Sequence, residues 1–235
     1  SEIYQRYALG LAKKKELPSE RPGKTKEKLR KKLLAELEKS GIKGWRERMT
    51  LYTRSLPAGC VECLEGRGSN LCVTGLCNRS CFFCFNPKPR IDETVVHGLK
   101  VSSFQDIPAV LMKRGIRSVG ISGGEPLMFP DKVLSIIREL RQKFASGIHI
   151  DLYTNGDLFT EGLLGSLRGA GLDSMRINLA ANGYSTNCVS LALKFFQEAA
   201  VEIPVIPGQG ERLKSVILAL DRMGASHLIL HELFS

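Results

Sequence analysis

From residue 70 onward, short apolar runs rich in β-branched residues recur between amphipathic stretches. Asn70–Thr74, Ser118–Ser122, Ile148–Thr154, Ser174–Leu179, Glu202–Ile206 and His227–Leu230 each predict a strand, several of them stopped by Gly or Asn. The gaps carry a helical period. Residues 130–144 place Val133, Ile136, Ile137, Leu140 and Phe144 on one stripe, with Pro130 suited to the first helical position. Residues 187–200 and 211–223 follow the same pattern. Residues 103–114 predict a helix capped by Asp106, which leaves Pro108 in the first turn, where its missing N–H costs little. Upstream, residues 24–39 predict a helix with Leu29, Leu33, Leu34 and Leu37 on one face, ended by Gly41 and Gly44. Pro18, Pro22 and Gly23 separate it from an earlier short segment, and a linker-like stretch with Pro57 and Gly59 leads to Cys60.

Six strands alternating with helices imply an α/β domain of parallel β-α units. Right-handed crossovers then give either an open doubly wound sheet or a curved, incomplete barrel. A full eight-fold barrel takes about 250 residues, more than this chain has to give. The division read from the pattern is a basic helical N-terminal extension, 1–55, and a main domain, 56–235. In either architecture the active site lies at the carboxyl ends of the strands. The cysteine loop after the first strand, Gly123-Gly124-Glu125-Pro126 and Thr154-Asn155-Gly156 all fall on that rim.

Charge changes the picture only at the N-terminus. The net charge is +10, but the first 50 residues hold 15 Lys and Arg against 7 Glu, so the basic character belongs to the extension. A solvated basic helix is the plainer reading; a nucleic-acid or acidic-protein partner is the other. No apolar run approaches the roughly 20 residues of a membrane helix, and Lys13, Lys14 and Lys15 are not followed by the apolar stretch of a signal peptide. Both point to the cytoplasm, away from a membrane.

Six of the seven cysteines fall between residues 60 and 84. Clustered thiols in a reducing compartment indicate metal or redox chemistry. Cys77, Cys81 and Cys84 have the spacing C-x3-C-x2-C, which lets one loop hold three irons of a four-iron cluster and leaves the fourth iron open. Cys60 and Cys63 form a C-x2-C pair, half of a zinc site or second cluster, yet the chain offers few further ligands. Cys72, mid-strand, and Cys188, on a helix, read as small buried apolar residues. His97 fits a solvated loop, and His231 and Glu232 ordinary strand-end polarity.

The C-x3-C-x2-C motif after a first strand, with Phe83 before the last cysteine, resembles the radical S-adenosylmethionine (SAM) superfamily, and Gly123-Gly124-Glu125-Pro126 is similar to its second hallmark. The LPAGC, VTGLC, VEIPVIPG and HELFS segments resemble radical SAM proteins related to pyruvate formate-lyase activating enzymes, over residues 56–235. The resemblance implies an incomplete (β/α)6 TIM-like barrel, a [4Fe-4S] cluster on Cys77, Cys81 and Cys84, and reductive cleavage of SAM to a radical that abstracts hydrogen from a substrate. It further implies that Gly123 and Gly124 admit close backbone approach, that backbone around Gly124 and Glu125 receives the SAM ammonium, and that Phe83 lies near the adenine. Thr154 and Asn178 would bond the ribose or carboxylate, and Ile206 would pack the adenine. The implied partners are an electron donor such as flavodoxin or ferredoxin and a protein, peptide or small-molecule substrate, with glycyl-radical activation among the outcomes. A zinc-dependent nucleic-acid-binding protein, using the cysteines with the basic extension, is the alternative from another class.

Overall fold

The structure, a computed structural model, describes residues 23–45 and 50–233. It divides into two compact units, one up to Ser55, the other Leu56–Leu233. In the first, helix α1 (Lys24–Lys39) has the predicted bounds, but Leu29, Leu33 and Leu37 are 55%, 49% and 40% exposed, and none of its residues is buried. The i,i+4 pairs Lys31–Glu27 at 3.2 Å and Lys32–Glu36 at 3.8 Å lace its surface. Strands β1 (Lys43–Trp45) and β2 (Thr50–Tyr52) form an antiparallel pair after it. The earlier short segment and Lys13–Lys15 lie outside the described residues.

The second unit opens with a helix where a linker is expected: α2 (Ala58–Leu64), with Pro57 at its N-cap. There follow β3 (Gly68–Thr74), the short strands β4 (Val95–Val96) and β5 (Leu99–Lys100), and α3 (Ile107–Lys113) with Pro108 in its first turn. A 3-10 turn, Phe104–Asp106, precedes α3, and the Ser103 hydroxyl accepts from the Gln105 N–H at 3.3 Å. Then come β6 (Ser118–Gly123), α4 (Pro130–Phe144), β7 (His149–Thr154), α5 (Glu161–Ala170) and β8 (Ser174–Asn178). Helix α6 (Asn187–Leu193), β9 (Glu198–Val205), α7 (Gly210–Met223) and β10 (His227–Glu232) complete it.

The helix expected over 187–200 therefore stops at Leu193, and β9 starts four residues before the strand expected at Glu202. An Ala-containing stretch is helix-compatible by propensity. Pairing with β8, from Ser174↔Glu198 to Asn178↔Glu202, overrides it and buries Ala199, Val201 and Ile203 on one side.

The sheet order is β10-β9-β8-β7-β6-β3-β4-β5, parallel from β3 through β10 with β4 and β5 added antiparallel at the edge. Successive parallel strands lie side by side in chain order, without the reversal of a doubly wound sheet. β5 and β10 end the sheet unpaired with each other, so the fold is the incomplete (β/α)6 barrel.

Alternation along the strands gives two unlike faces. Leu71, Val73, Val119, Ile121, Ile150, Leu152, Met175, Ile177, Val201 and Ile203 are fully buried and form one core with Ile136, Ile137 and Leu140 of α4 and Leu164 and Leu167 of α5. The other face carries Asn70, Cys72, Ser118, Ser122, Asp151, Tyr153, Ser174, Arg176, Glu198 and Glu202. A parallel sheet covered by helices on both faces would be apolar on both; this polarity marks a barrel interior. At the amino-terminal end α2 crosses that face closely, since a Cβ on Gly59 would stand 1.9 Å from Asp151 Oδ2. Arg176, fully buried there, donates from Nε to Asp151 Oδ1 at 2.9 Å, and the Ser174 hydroxyl donates to the same oxygen.

Candidate active site

At the opposite, carboxyl end, Gly75 starts a loop that runs to Ile91, whose carbonyl accepts from the Gly75 N–H at 2.8 Å. The three thiols of the motif lie in this loop. Cys77 and Cys81 are half-buried and Cys84 exposed. Cys77 Sγ accepts from the Arg79 N–H at 3.4 Å, the Cys84 N–H donates to the Cys81 carbonyl at 3.2 Å, and Arg90 Nη2 lies 3.9 Å from Cys84 Sγ. Burial pushes the Cys81 thiol up, reinforced by the charges of Cys84 and Cys77, both within electrostatic reach of it.

Among the described residues, the only trio of ligand-type side chains with all donor atoms within 4.8 Å of one another is His149, Asp151 and Glu198, on other elements. Cys77, Cys81 and Cys84 are not part of that trio; three thiols on one loop are a donor set that fits a four-iron cluster, one iron to each.

The glycine turn meets this loop backbone to backbone. Gly123 has φ 136°, and a Cβ on Gly124 would lie 1.8 Å from the Leu76 carbonyl oxygen. The Gly124 N–H donates to Thr74 O at 2.7 Å, the Glu125 N–H to Leu76 O at 2.8 Å, and Asn86 Nδ2 to Gly123 O at 2.5 Å. An ammonium only donates, so it is the carbonyls of this turn, not its N–H groups, that could receive one.

Glu125 itself points into the protein and is fully buried. Its carboxylate accepts from Leu127 N at 3.1 Å, Thr154 Oγ1 at 2.8 Å and Asn155 N at 2.8 Å. Burial pushes this carboxyl above its ordinary value, and those three bonds oppose the rise. The Thr154 hydroxyl, expected at the ribose or carboxylate, donates to Glu125 and accepts from the Gly156 N–H at 3.1 Å, which ties the glycine turn to the end of β7.

Asn155, seen in the sequence only as part of a turn, joins three loops. Besides its bond to Glu125 it donates from Nδ2 to Asn78 Oδ1 at 2.7 Å, accepts at Oδ1 from Asp157 N at 3.0 Å, and accepts at its carbonyl from Asn182 Nδ2 at 3.1 Å. Asp157 in turn holds Arg79 through two oxygens, at 2.5 and 2.9 Å, and accepts from Asn78 Nδ2 at 3.2 Å. The cysteine loop is thereby clamped to the end of β7 through its own x3 residues.

Phe83 and Ile206 come together with Cys81 in a cleft of about 440 Å³, which Arg79, Ala181, Tyr184, Gln209 and Arg212 also line. Arg212 stacks over the Tyr184 ring at 4.5 Å and donates to Gly183 O at 2.7 Å, while Gln209 Oε1 is buried without a partner. Asn178, half-buried, accepts from the Ala181 N–H at 3.2 Å and shapes the same rim. The sequence gives no signal for Tyr184, Gln209 or Arg212, which follow strand ends without a motif. His231 pairs with Glu202 at 3.3 Å on the interior face.

An incomplete parallel barrel with three thiols and a glycine turn on its carboxyl rim defines a class of cofactor-dependent proteins. Residues 71–184 match the family described as the Radical SAM superfamily. The cofactors of such a domain are a [4Fe-4S] cluster and S-adenosylmethionine.

Among curated relatives, a putative glycyl-radical enzyme activating enzyme from Methanocaldococcus jannaschii is 27% identical over 178 residues, covering 71% of this chain and 47% of the relative. A probable GTP 3',8-cyclase from Metallosphaera sedula is 37% identical over 110 residues, 46% of this chain and 32% of that protein. The chain thus spans less than half the length of these two relatives. In fold it is similar to SuiB from Streptococcus suis bound to S-adenosylmethionine, with TM-score 0.56 and 16% identity over 100% of this chain and 51% of that one. It is also similar to the methyltransferase TsrM from Kitasatospora setae, with TM-score 0.52 and 15% identity over 76% and 39%.

Proposed function

We propose that the protein cleaves S-adenosylmethionine reductively and removes a hydrogen atom from a substrate held on the polar interior face of the barrel. The observation that carries this reading is the meeting, on one rim, of the three-thiol loop and a Gly-Gly turn packed backbone to backbone against it. When bound, the cluster and SAM supply the electron that splits the sulfonium and the radical chemistry that follows. Everything else is the chain's work. Cys77, Cys81 and Cys84 would each hold one iron. Carbonyls of the Gly123–Glu125 turn take the ammonium, Phe83 and Ile206 wall the adenine, and Asn178 lies at the ribose end. Gln209 Oε1 adds an acceptor in the same cleft. The exposed Cys84 marks the side from which a flavodoxin or ferredoxin would deliver electrons.

The match of residues 71–184 to the Radical SAM superfamily favours this reading over a zinc-dependent nucleic-acid-binding protein. The test is anaerobic reconstitution, iron analysis, and an assay for 5'-deoxyadenosine with a strong reductant. About four irons per chain and SAM-dependent 5'-deoxyadenosine support the proposal. Zinc without iron, or iron-loaded reduced protein that leaves SAM intact, would overturn it. The longer alignment, to a glycyl-radical activating enzyme, favours a glycine in a polypeptide as the hydrogen donor. Peptides bearing α-deuterated glycine should pass deuterium into 5'-deoxyadenosine; transfer from deuterated GTP instead would reassign the substrate.

A further inference from the structure

Cys60 and Cys63 take no part in the rim site. They lie on α2 at the amino-terminal end of the barrel, and their environments differ. Cys60 is half-buried with its Sγ 3.6 Å from Arg176 Nη1, whereas Cys63 is exposed. Residues three apart on a helix have Cβ atoms about 5–6 Å apart. A disulfide brings Cβ atoms to about 3.5–4.5 Å, so a slight tightening of this one short helix closes the bond.

The metal alternative finds no ligand set. The close trio His149, Asp151 and Glu198 excludes both thiols. Arg176 already supplies that trio with a cation, bonding Asp151 through Nε and standing with Nη2 3.7 Å from Glu198 Oε1. Burial raises the Cys60 thiol, and the neighbouring guanidinium acts against that rise.

We propose that Cys60 and Cys63 are a redox-active dithiol, oxidised to an intrahelical disulfide by a small-molecule disulfide. The exposed Cys63 thiolate attacks one sulfur of the small disulfide, forming a mixed disulfide and releasing one thiolate, which takes up a proton. Cys60, its thiolate held by the Arg176 guanidinium, then attacks the Cys63 sulfur and expels the second small thiolate. Two protein thiols are oxidised, one small disulfide is reduced to two thiols, and both protons end on the leaving groups. Forming the bond draws Cys60 away from Arg176 on the floor of the barrel.

The test uses the full chain with its cluster reconstituted, exposed anaerobically to a ladder of oxidised-to-reduced glutathione ratios, then alkylated and cut with trypsin. Arg54 and Arg67 bracket residues 55–67, which contain Cys60 and Cys63 and no other cysteine. At oxidising ratios this peptide should lose two hydrogens, escape alkylation, and revert with dithiothreitol. Cys60→Ser should trap glutathione on Cys63, and Cys63→Ser should abolish the change. A wild-type peptide that stays alkylatable at every ratio, that holds glutathione on Cys63 without closing, or that is shielded by a bound zinc or iron ion overturns the proposal. Because this readout is separate from cluster iron and from 5'-deoxyadenosine, the outcome does not depend on the rim chemistry.

Discussion

Replacing Gly124 with Ala tests the geometry on which the rim depends. An added Cβ would meet Leu76 O at 1.8 Å, Leu76 C at 2.4 Å and Gly75 O at 2.7 Å, all of them backbone atoms that cannot swing aside. Ordinary contact begins at 3.4 Å, so the turn and the cysteine loop must part by about 1.6 Å. Overpacking of this kind costs about 1–3 kcal/mol. The shift also breaks the bonds from Gly124 N to Thr74 O and from Glu125 N to Leu76 O, each worth about 1 kcal/mol. The expected loss is about 3–5 kcal/mol in denaturant unfolding. SAM cleavage should fall about 100-fold or more, since misplacement of about 1 Å has that effect on reacting groups. Gly162, an exposed residue of α5 with nothing within 4 Å of its would-be Cβ, is the control, and Ala there should stabilise by about 1 kcal/mol. If Gly124→Ala unfolds within about 0.5 kcal/mol of wild type and keeps its cleavage rate, the close packing of turn on loop is wrong.

Changing any one of Cys77, Cys81 or Cys84 to Ala should abolish 5'-deoxyadenosine formation, while Cys188→Ala, buried beside Gly156, should largely spare it; equal loss in all four would signal misfolding instead. Asn155→Ala removes the side-chain bonds to Asn78 and Asp157, so unfolding should become easier by about 1–3 kcal/mol and the iron content after reconstitution should drop. Asp151→Ala leaves Arg176 buried without its carboxylate and should cost about 3–5 kcal/mol in denaturant unfolding. Burial pushes the Asp151 carboxyl up, but the His149 hydrogen bond, Arg176 and Ser174 outweigh it and hold it below its ordinary value. Its contribution is therefore complete above the ordinary carboxyl range near about pH 4 and is lost as pH falls through the native value. His149, lowered by burial but raised on balance by Asp151 and its acidic neighbours, behaves oppositely: its contribution is complete below its ordinary value and is lost as pH rises through the raised one. Stability measured against pH should peak between these limits, and Asp151→Asn should flatten both flanks.

The parts of this molecule legible in the sequence are those set by local chemistry. Six strands and the helix over 130–144 follow from side-chain period, and the three rim cysteines from spacing alone. Phe83 and Ile206, singled out from the resemblance, line one cleft. What was not legible depends on distant partners. Asn155 meets Asn78 across 77 residues of chain, and nothing near either residue announces the other. Thr154 reads as a polar strand end, yet the carboxylate it serves lies on another turn, 29 residues away. Helix α2 was hidden because Pro57 and Gly59 look like linker residues, whereas Gly59 is there to let the helix close on Asp151. The end of α6 was misplaced because propensity carries no knowledge of strand pairing with β8.

The two ends of the interior face are built on opposite principles, and the same alternation supplies both. At the amino end, charges are matched by charges: Arg176 is fully buried with Asp151 on one side, Glu198 on another and α2 across them. At the carboxyl end, side chains mostly bind other loops, and the cleft is lined by a thiol, aromatic rings, an amide and the guanidiniums of Arg79 and Arg212. Those groups suit cofactors that bring their own charge and reactivity. A substrate placed between the two meets Ser122, Tyr153 and Glu202, polar residues that a purely structural barrel would have replaced with the branched apolar layers of a filled core. Two of these polar residues are answered within the sheet itself, Ser122 by Asn70 and Glu202 by His231 at 3.3 Å, so the face stays polar without leaving those groups unpaired, which would cost about 1–3 kcal/mol each.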